Sequence, residues 1–324
     1  MAIAAAANDR IVLLGTGLAG TTGATAAIDL ADDRLDDGFT GADRRTDRPA
    51  CLHYAPVDHA GIRQRVARVA GWIADAAPAL LVVDVSVEIA LLARLASVPT
   101  VVVRLGGDRS DPPHRAAFEG ATALLCPFAA ALDTPAPPAD VAAKSRYCPG
   151  IVARPPVRPI DPRRIAVVIG AGGARADAAI WIAAARAVPE LRWDVFGPCT
   201  VPATLPSNLV IHGWVADIAS RIAGAAVVIG SAGDGVVATV IATARPFVCV
   251  PEDRPFGEQR AKAAALADAG AAIVCDDPAA ADWRALIEAA RRLDPAALAV
   301  LDDPGGAERT ATWLIALADR DIRR

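Results

Sequence analysis

Short apolar runs recur along the chain, each followed by a polar or glycine-rich break and then by a stretch of helical spacing. Runs at 11–14, 80–85, 100–103, 165–169, 193–196, 209–212, 225–229 and 247–250 read as strands. They are apolar at successive rather than alternate positions, which marks strands covered on both faces, as in a parallel sheet. Between them 61–76 reads as a helix, with Ile62, Val66, Val69, Trp72 and Ile73 on one side. So do 176–188, 236–244, 282–292 and 307–324. An alanine-rich stretch ending near Leu30 reads as the helix of a first βα unit, and Cys51 to Pro56 as one more short strand. Strand and helix alternate throughout 160–290 and more loosely through 10–130. The pattern predicts an α/β protein of two doubly wound domains facing a cleft. Proline-rich 153–159 marks the linker. The expected units are 1–157, 158–306 and a terminal helix, 307–324.

The clearest punctuation lies in 225–270. An apolar strand runs into GSAGDG at 230–235, then a short helix, then Pro246, which cannot continue a helix. A second apolar strand follows, then a loop, then Gly257, Glu258 and Gln259 at the start of another helix. Two loops at the carboxyl ends of adjacent parallel strands form the usual ligand site of an open α/β sheet. Helix amino termini there offer unpaired N–H groups, and glycines let the backbone approach a bulky anion. The loop at Ser231, Gly233, Asp234 and Gly235 is therefore suited to a diphosphate. An ordinary βα turn that binds nothing has the same glycines. Gly170, Gly172 and Gly173, with Arg175 beside them, form a second candidate amide cradle after the strand at 165–169. Asp234 either competes with a diphosphate for the amides or caps the helix with its side chain turned aside. Glu258 and Gln259 can bind sugar hydroxyls or cap their helix.

A glycine loop followed one strand later by Glu and Gln at a helix start resembles the donor domain of GT-B glycosyltransferases. The closest likeness is to the branch related to the N-acetylglucosaminyltransferase of peptidoglycan synthesis, the family 28-like donor domain. It covers 160–290 well and the amino-terminal half loosely. It implies transfer of a sugar from a nucleotide-diphosphate sugar, a UDP-sugar in this branch, without a metal. It places the donor in the second domain and the acceptor in the first. It sets the nucleotide base near Trp214 and Val215, Trp214 being otherwise a core tryptophan. It implies a closing helix that crosses back to the first domain, where a surface helix on its own domain is the other reading. Two departures stand out. Relatives carry a ribose-clasping glutamate where this chain has Thr239. Their first glycine loop often carries a histidine, where this chain offers only Thr16, Thr21 and Thr22. These departures keep open a catalytically impaired binding protein or partner subunit. A sugar-nucleotide epimerase on the same scaffold needs more cleft carboxylates than are evident.

Transfer needs a base for the acceptor. The histidines are at 53, 59, 114 and 212. The first three lie on the acceptor side that the resemblance implies. His59 beside Asp58 forms the leading pair, and His114 in the polar loop 104–114 is next. Asp84 and Glu88, at a strand end, are acidic alternatives that can equally cap the following helix.

Composition narrows the classes. At 54% hydrophobic residues, disorder is excluded. A net charge of −4 without a long basic run argues against nucleic-acid binding. Six cysteines, at 51, 126, 148, 199, 249 and 275, show no metal-type spacing. Read as free thiols, they imply a reducing cytoplasm. Met1 to Asn8 lacks the pattern of a signal peptide. No uncharged run is long enough for a spanning helix, which leaves room only for peripheral membrane contact. The expected partners are a nucleotide sugar and an acceptor, with no resident cofactor and no metal.

Overall fold

The computed structural model describes residues 2–7, 10–18, 20–21, 24–35, 39–170 and 176–321. A short helix α1 (Ala2–Ala6) precedes strands β1 (Val12–Gly15) and β2 (Ala26–Asp29), which pair in parallel. Then α2 (Ala60–Ala76), β3 (Leu81–Asp84), α3 (Val87–Leu95), β4 (Thr100–Val103), α4 (Pro112–Gly120), β5 (Ala123–Cys126), α5 (Ala139–Lys144) and β6 (Ser145–Tyr147) alternate. Their strands form a parallel sheet in the order β3-β4-β5-β6, separate from the β1-β2 pair. Val101, Val102, Leu124 and Leu125 are all buried, as strands covered on both faces require.

Two expectations fail in this half. The stretch ending near Leu30 is a strand, not a helix. Alanine supplies helix propensity, but a helix in a domain is held by an apolar stripe. The only large apolar residues at its end, Ile28 and Leu30, are spaced as a strand spaces one face. They pack with Leu14, Val69 and Ile73. Cys51 to Pro56 is irregular, and only Val57 next to it forms a bridge, to Ala42.

The second half begins at β7 (Asp161–Val168), followed by α6 (Ala178–Ala187), β8 (Arg192–Phe196), β9 (Leu209–Gly213), α7 (Ile218–Ile222) and β10 (Ala225–Gly230). It continues with α8 (Asp234–Thr243), β11 (Phe247–Cys249), α9 (Glu258–Asp268), β12 (Ile273–Val274), α10 (Trp283–Ala290) and α11 (Pro295–Ala299). The parallel sheet runs β12-β11-β10-β7-β8-β9. Strands add outward from β7 to β9, then the chain returns to place β10 on β7's other side. The winding therefore reverses between β7 and β10, where such sheets hold ligands. Alternate residues of β7 serve two cores. Ile165 and Val167 pack with Trp181, Trp193 and Ile229 on one face. Ala166 and Val168 pack with Val228 and Phe247 on the other.

The two halves touch. The second core extends into the first half through Cys126, Phe128 and Leu132. The last helix, α12 (Gly306–Asp321), crosses back. Leu314 is buried with Val101, Leu125 and Cys148 of the first half, and Arg10 pairs with Asp319 at 2.8 Å. This overturns the reading of α12 as a surface helix on the second domain. The crossing is tight. Gly150 has φ +78°, and a Cβ there would overlap Asp303 O; a Cβ on Gly306 would overlap Pro149 O. Gly150→Ala is expected to destabilise the protein by about 3 kcal/mol or more, from left-handed strain plus the clash. Gly71→Ala, in mid-α2 with nothing within 4 Å of the new Cβ, should be neutral or slightly stabilising. Urea unfolding of the two variants checks this. Equal stabilities would contradict the crossing geometry.

Five of the six cysteines are buried free thiols and Cys51 is exposed. Burial pushes the Cys249 thiol up to about 12. Among the described residues no helix is long and apolar enough to cross a membrane.

Candidate functional site

The site is built where β7 and β10 end. Gly170 follows β7, and Gly230 closes β10. Glycine fits closely at 230: a Cβ there would meet Val236 Cγ1 at 2.9 Å and Val168 O at 3.1 Å, so the neighbours would have to shift. Ser231 is buried between the two loops. Its Oγ lies 3.7 Å from the place of a Cβ on Gly170 and 3.6 Å from that on Gly233. Gly233 is the N-cap of α8, and among the described residues no side chain caps the helix. The first N–H groups of α8 therefore have no partner within the helix or from a cap, which is the arrangement that suits an anion. Gly235 is exposed, with nothing within 4 Å of where its Cβ would stand. Gly172, Gly173 and Arg175 lie outside the described residues, as does Thr22.

The next loop is tied to this one. Gln259 is only 4% exposed, and its Oε1 accepts from Ala232 N at 3.1 Å and from Glu252 N at 2.9 Å. It thus pins the α8 loop to the loop after β11, rather than capping its own helix. Asp234 does not cap α8 either: its carboxylate pairs with Lys262, one turn into α9. Glu258 opens α9, but its carboxylate pairs with Arg109 of the first half. Thr239 is buried, and its Oγ1 donates to Gly235 O at 2.6 Å. That hydroxyl is engaged by its own helix and the residue is buried, whereas the resemblance sets it at the donor ribose. Trp214 follows β9 and is 69% exposed, which removes its reading as a core tryptophan. Val215 packs partly against the second core.

In the first half the His59–Asp58 pair does not form. His59 is the N-cap of α2: its Nδ1 accepts from Ile62 N at 3.2 Å. Nε2, necessarily the protonated nitrogen, sits 3.1 Å from Arg34 O and donates to it. Both nitrogens are committed to backbone. Asp58 pairs instead with Arg63 at 2.7 Å. Glu88 is likewise occupied, accepting from His53 N at 2.6 Å and Tyr54 N at 2.7 Å. Ser86, not Asp84, caps α3. His212 pairs with Asp194 at 2.6 Å on the far strands of the second sheet.

His114 is different. It is 5% exposed, and its Nδ1 lies 2.8 and 2.9 Å from the two carboxylate oxygens of Asp111. Burial pushes its pKa below the ordinary histidine value, against the opposing pull of Asp111. The neutral ring then donates from Nδ1 to Asp111 and keeps a lone pair on Nε2. The ring stands 4.9 Å from that of Phe256 and 5.3 Å from that of His53. His114 lies in the first turn of α4 rather than in the polar loop, and the loop that leads into α4 closes on the second half. Asp108 N donates to Phe256 O at 3.0 Å, and the Arg109 guanidinium lies 4.2 Å over the Phe256 ring. His114 thereby lies beside the segment that presents Glu258 and Gln259.

Sequence reasoning missed Arg109, Asp111 and Lys262. Asp111 was legible: an acid just before two prolines and three residues ahead of a histidine is a helix-start pattern that faces both side chains one way. Lys262 was signalled by rarity, since the chain has lysine only at 144 and 262. Arg109 carried no signal beyond its place in a polar loop.

Residues 200–301 match the glycosyltransferase family 28 C-terminal domain. No curated protein matches the chain. Among solved structures it is similar to the glycosyltransferase SnogD from Streptomyces nogalater, at 15% identity over 97% of this chain and 94% of that one, with a TM-score of 0.63. It is similar to the spinosyn forosaminyltransferase SpnP, at 17% identity over 96% and 90%, with a TM-score of 0.66. It is similar to Acinetobacter baumannii MurG, at 18% identity over 79% and 80%, with a TM-score of 0.53. At these identities the likeness is one of fold.

Proposed function

We propose that this chain, whose fold is that of the GT-B glycosyltransferases, moves a sugar from a nucleotide-diphosphate sugar to an acceptor held by its first half. The observation that carries this is the uncapped start of α8, with Ser231, Gly233 and Gly235 at the point where the winding of the second sheet reverses. That loop lies inside the stretch that matches the family 28 domain. Backbone N–H groups and the positive end of α8 stabilise the departing diphosphate. Gly170 completes the cradle from the β7 side. Trp214, exposed beyond β9, offers a flat face for the base of the donor, a UDP-sugar in this reading. Glu258 and Gln259 stand at the sugar end, Gln259 as the brace of the loop.

His114 serves as the base. Its neutral Nε2 takes the acceptor's proton as the acceptor oxygen attacks the anomeric carbon and the nucleoside diphosphate leaves. Asp111 fixes the tautomer and stabilises the imidazolium that forms. No metal takes part in this reading.

The engagement of Thr239 within its own helix favours a second reading, a nucleotide-sugar-binding partner subunit that transfers nothing. Incubation with UDP-, TDP- and GDP-sugars, with release of nucleoside diphosphate followed by chromatography, separates the two. Release from one donor above the no-protein rate supports the transferase. Binding of a donor without release supports the partner subunit. Absence of binding by any donor removes both.

A further inference from the structure

The chain's two lysines do different work. Lys144 donates to the carbonyls of Phe118, Glu119 and Ala121, and so caps the end of α4. Lys262 lies in the seam between the halves, 3% exposed. Its Nζ pairs with Asp234 and stands 5.6 Å from the centre of the Phe128 ring, while its Cε is 4.0 Å from the place of a Cβ on Gly106. A buried ammonium needs a counter-charge, and Asp234 provides it. Asp234 is also the first residue of α8, between Gly233 and Gly235. The carboxylate therefore sits at the mouth proposed for a diphosphate, at the same helix end and beside the same glycines. A diphosphate there and the Asp234 carboxylate would compete for one cation.

We propose that Lys262 is the cation that meets the phosphates of a nucleoside diphosphate at this loop, and that Asp234 is its internal competitor. The carboxylate holds the ammonium until a diphosphate takes it over, and so loosens the site's grip on phosphates. This rests on the reading of the second half as a nucleotide-sugar domain. The sequence reading has Asp234 competing for the loop's amides or capping α8; in the structure its carboxylate does neither and pairs with Lys262.

The test is titration calorimetry of the full chain with UDP and with uridine. Asp234→Asn is expected to bind UDP roughly tenfold tighter than the parent, because the Lys262 ammonium is no longer held by a carboxylate. Uridine, which lacks phosphate, should bind both alike. Lys262→Met should bind UDP at least roughly tenfold more weakly than the parent. If Asn at 234 leaves too little folded protein, with Lys262 buried and unmatched, the double variant Asp234→Asn, Lys262→Met carries the same test. It should bind UDP about as weakly as Lys262→Met alone, because no ammonium is left for the carboxylate to withhold; a roughly tenfold gain there would show plain repulsion and overturn the proposal. Asp234→Asn binding UDP no tighter than the parent, or tightening UDP and uridine equally, overturns the proposal. A parent protein that binds no nucleoside diphosphate overturns instead the reading on which it rests.

Discussion

His114→Gln is expected to lower the turnover of sugar transfer by about 10²–10⁴-fold while leaving the affinity for nucleoside diphosphate nearly unchanged. Glutamine keeps the size and one hydrogen-bonding end but cannot take up a proton at Nε2. Asp111 holds the ring from one side at 2.8 and 2.9 Å, so the other nitrogen is the only one free to act as base. Burial lowers the His114 pKa, which keeps the base neutral at pH values where an exposed histidine begins to ionise. The rate should therefore hold as pH falls through the ordinary histidine range and drop only below it. Stability follows the opposite limb. In the unfolded chain the ring protonates near 6.5, while the folded chain resists protonation, so the unfolded state binds more protons below that pH. Stability is then lost as pH falls from about 6.5 toward the folded pKa, by at most about 1.4 kcal/mol per pH unit for this group. His114→Gln should flatten that slope. Single-turnover rates and thermal unfolding between neutral and mildly acid pH measure both. An unchanged rate in the variant removes His114 as the base.

Gln259→Leu is expected to cost about 3 kcal/mol of stability and to abolish nucleotide binding with it. One amide oxygen accepts from both Ala232 N and Glu252 N, and the side chain is buried. Leucine is of similar size but leaves two N–H groups without a partner, each costing about 1–3 kcal/mol where water cannot reach. Those groups belong to the two loops that shape the mouth, so their release also moves Ser231 and Gly233. Gln259→Glu keeps an acceptor for both groups and should lose much less. Urea unfolding midpoints and UDP titration of both variants provide the check. A leucine variant within 1 kcal/mol of the parent would show that the brace is not structural.

The core of the site was legible in sequence because local chemistry wrote it. An apolar run ending at Gly230, a glycine loop, a helix stopped before Pro246 and a second run define β10, α8 and β11 without help from distant residues. What failed depended on partners far along the chain. The partner of Glu258, Arg109, lies 149 residues away and no local pattern announces it. His59 was assigned to catalysis by its neighbour Asp58, while its ring nitrogens were settled by the start of α2 and by Arg34 O. The first βα unit was misjudged because alanine content suggested a helix, and the spacing of Ile28 and Leu30, which fits a strand, was overlooked. The bond of Thr239 to Gly235 O is of a local kind, since a hydroxyl with a carbonyl one turn behind it in a helix commonly takes that partner.

The measurement closest to the central claim is calorimetric titration of UDP into the parent and into Gly235→Glu. The new side chain has open space, and an acid in the first turn suits the helix dipole, so the melting temperature should not fall. The expected result is measurable binding to the parent and a loss of roughly tenfold or more in the variant, as its carboxylate repels the diphosphate at the start of α8. Equal UDP affinity in the two folded proteins would place the nucleotide elsewhere and contradict the site.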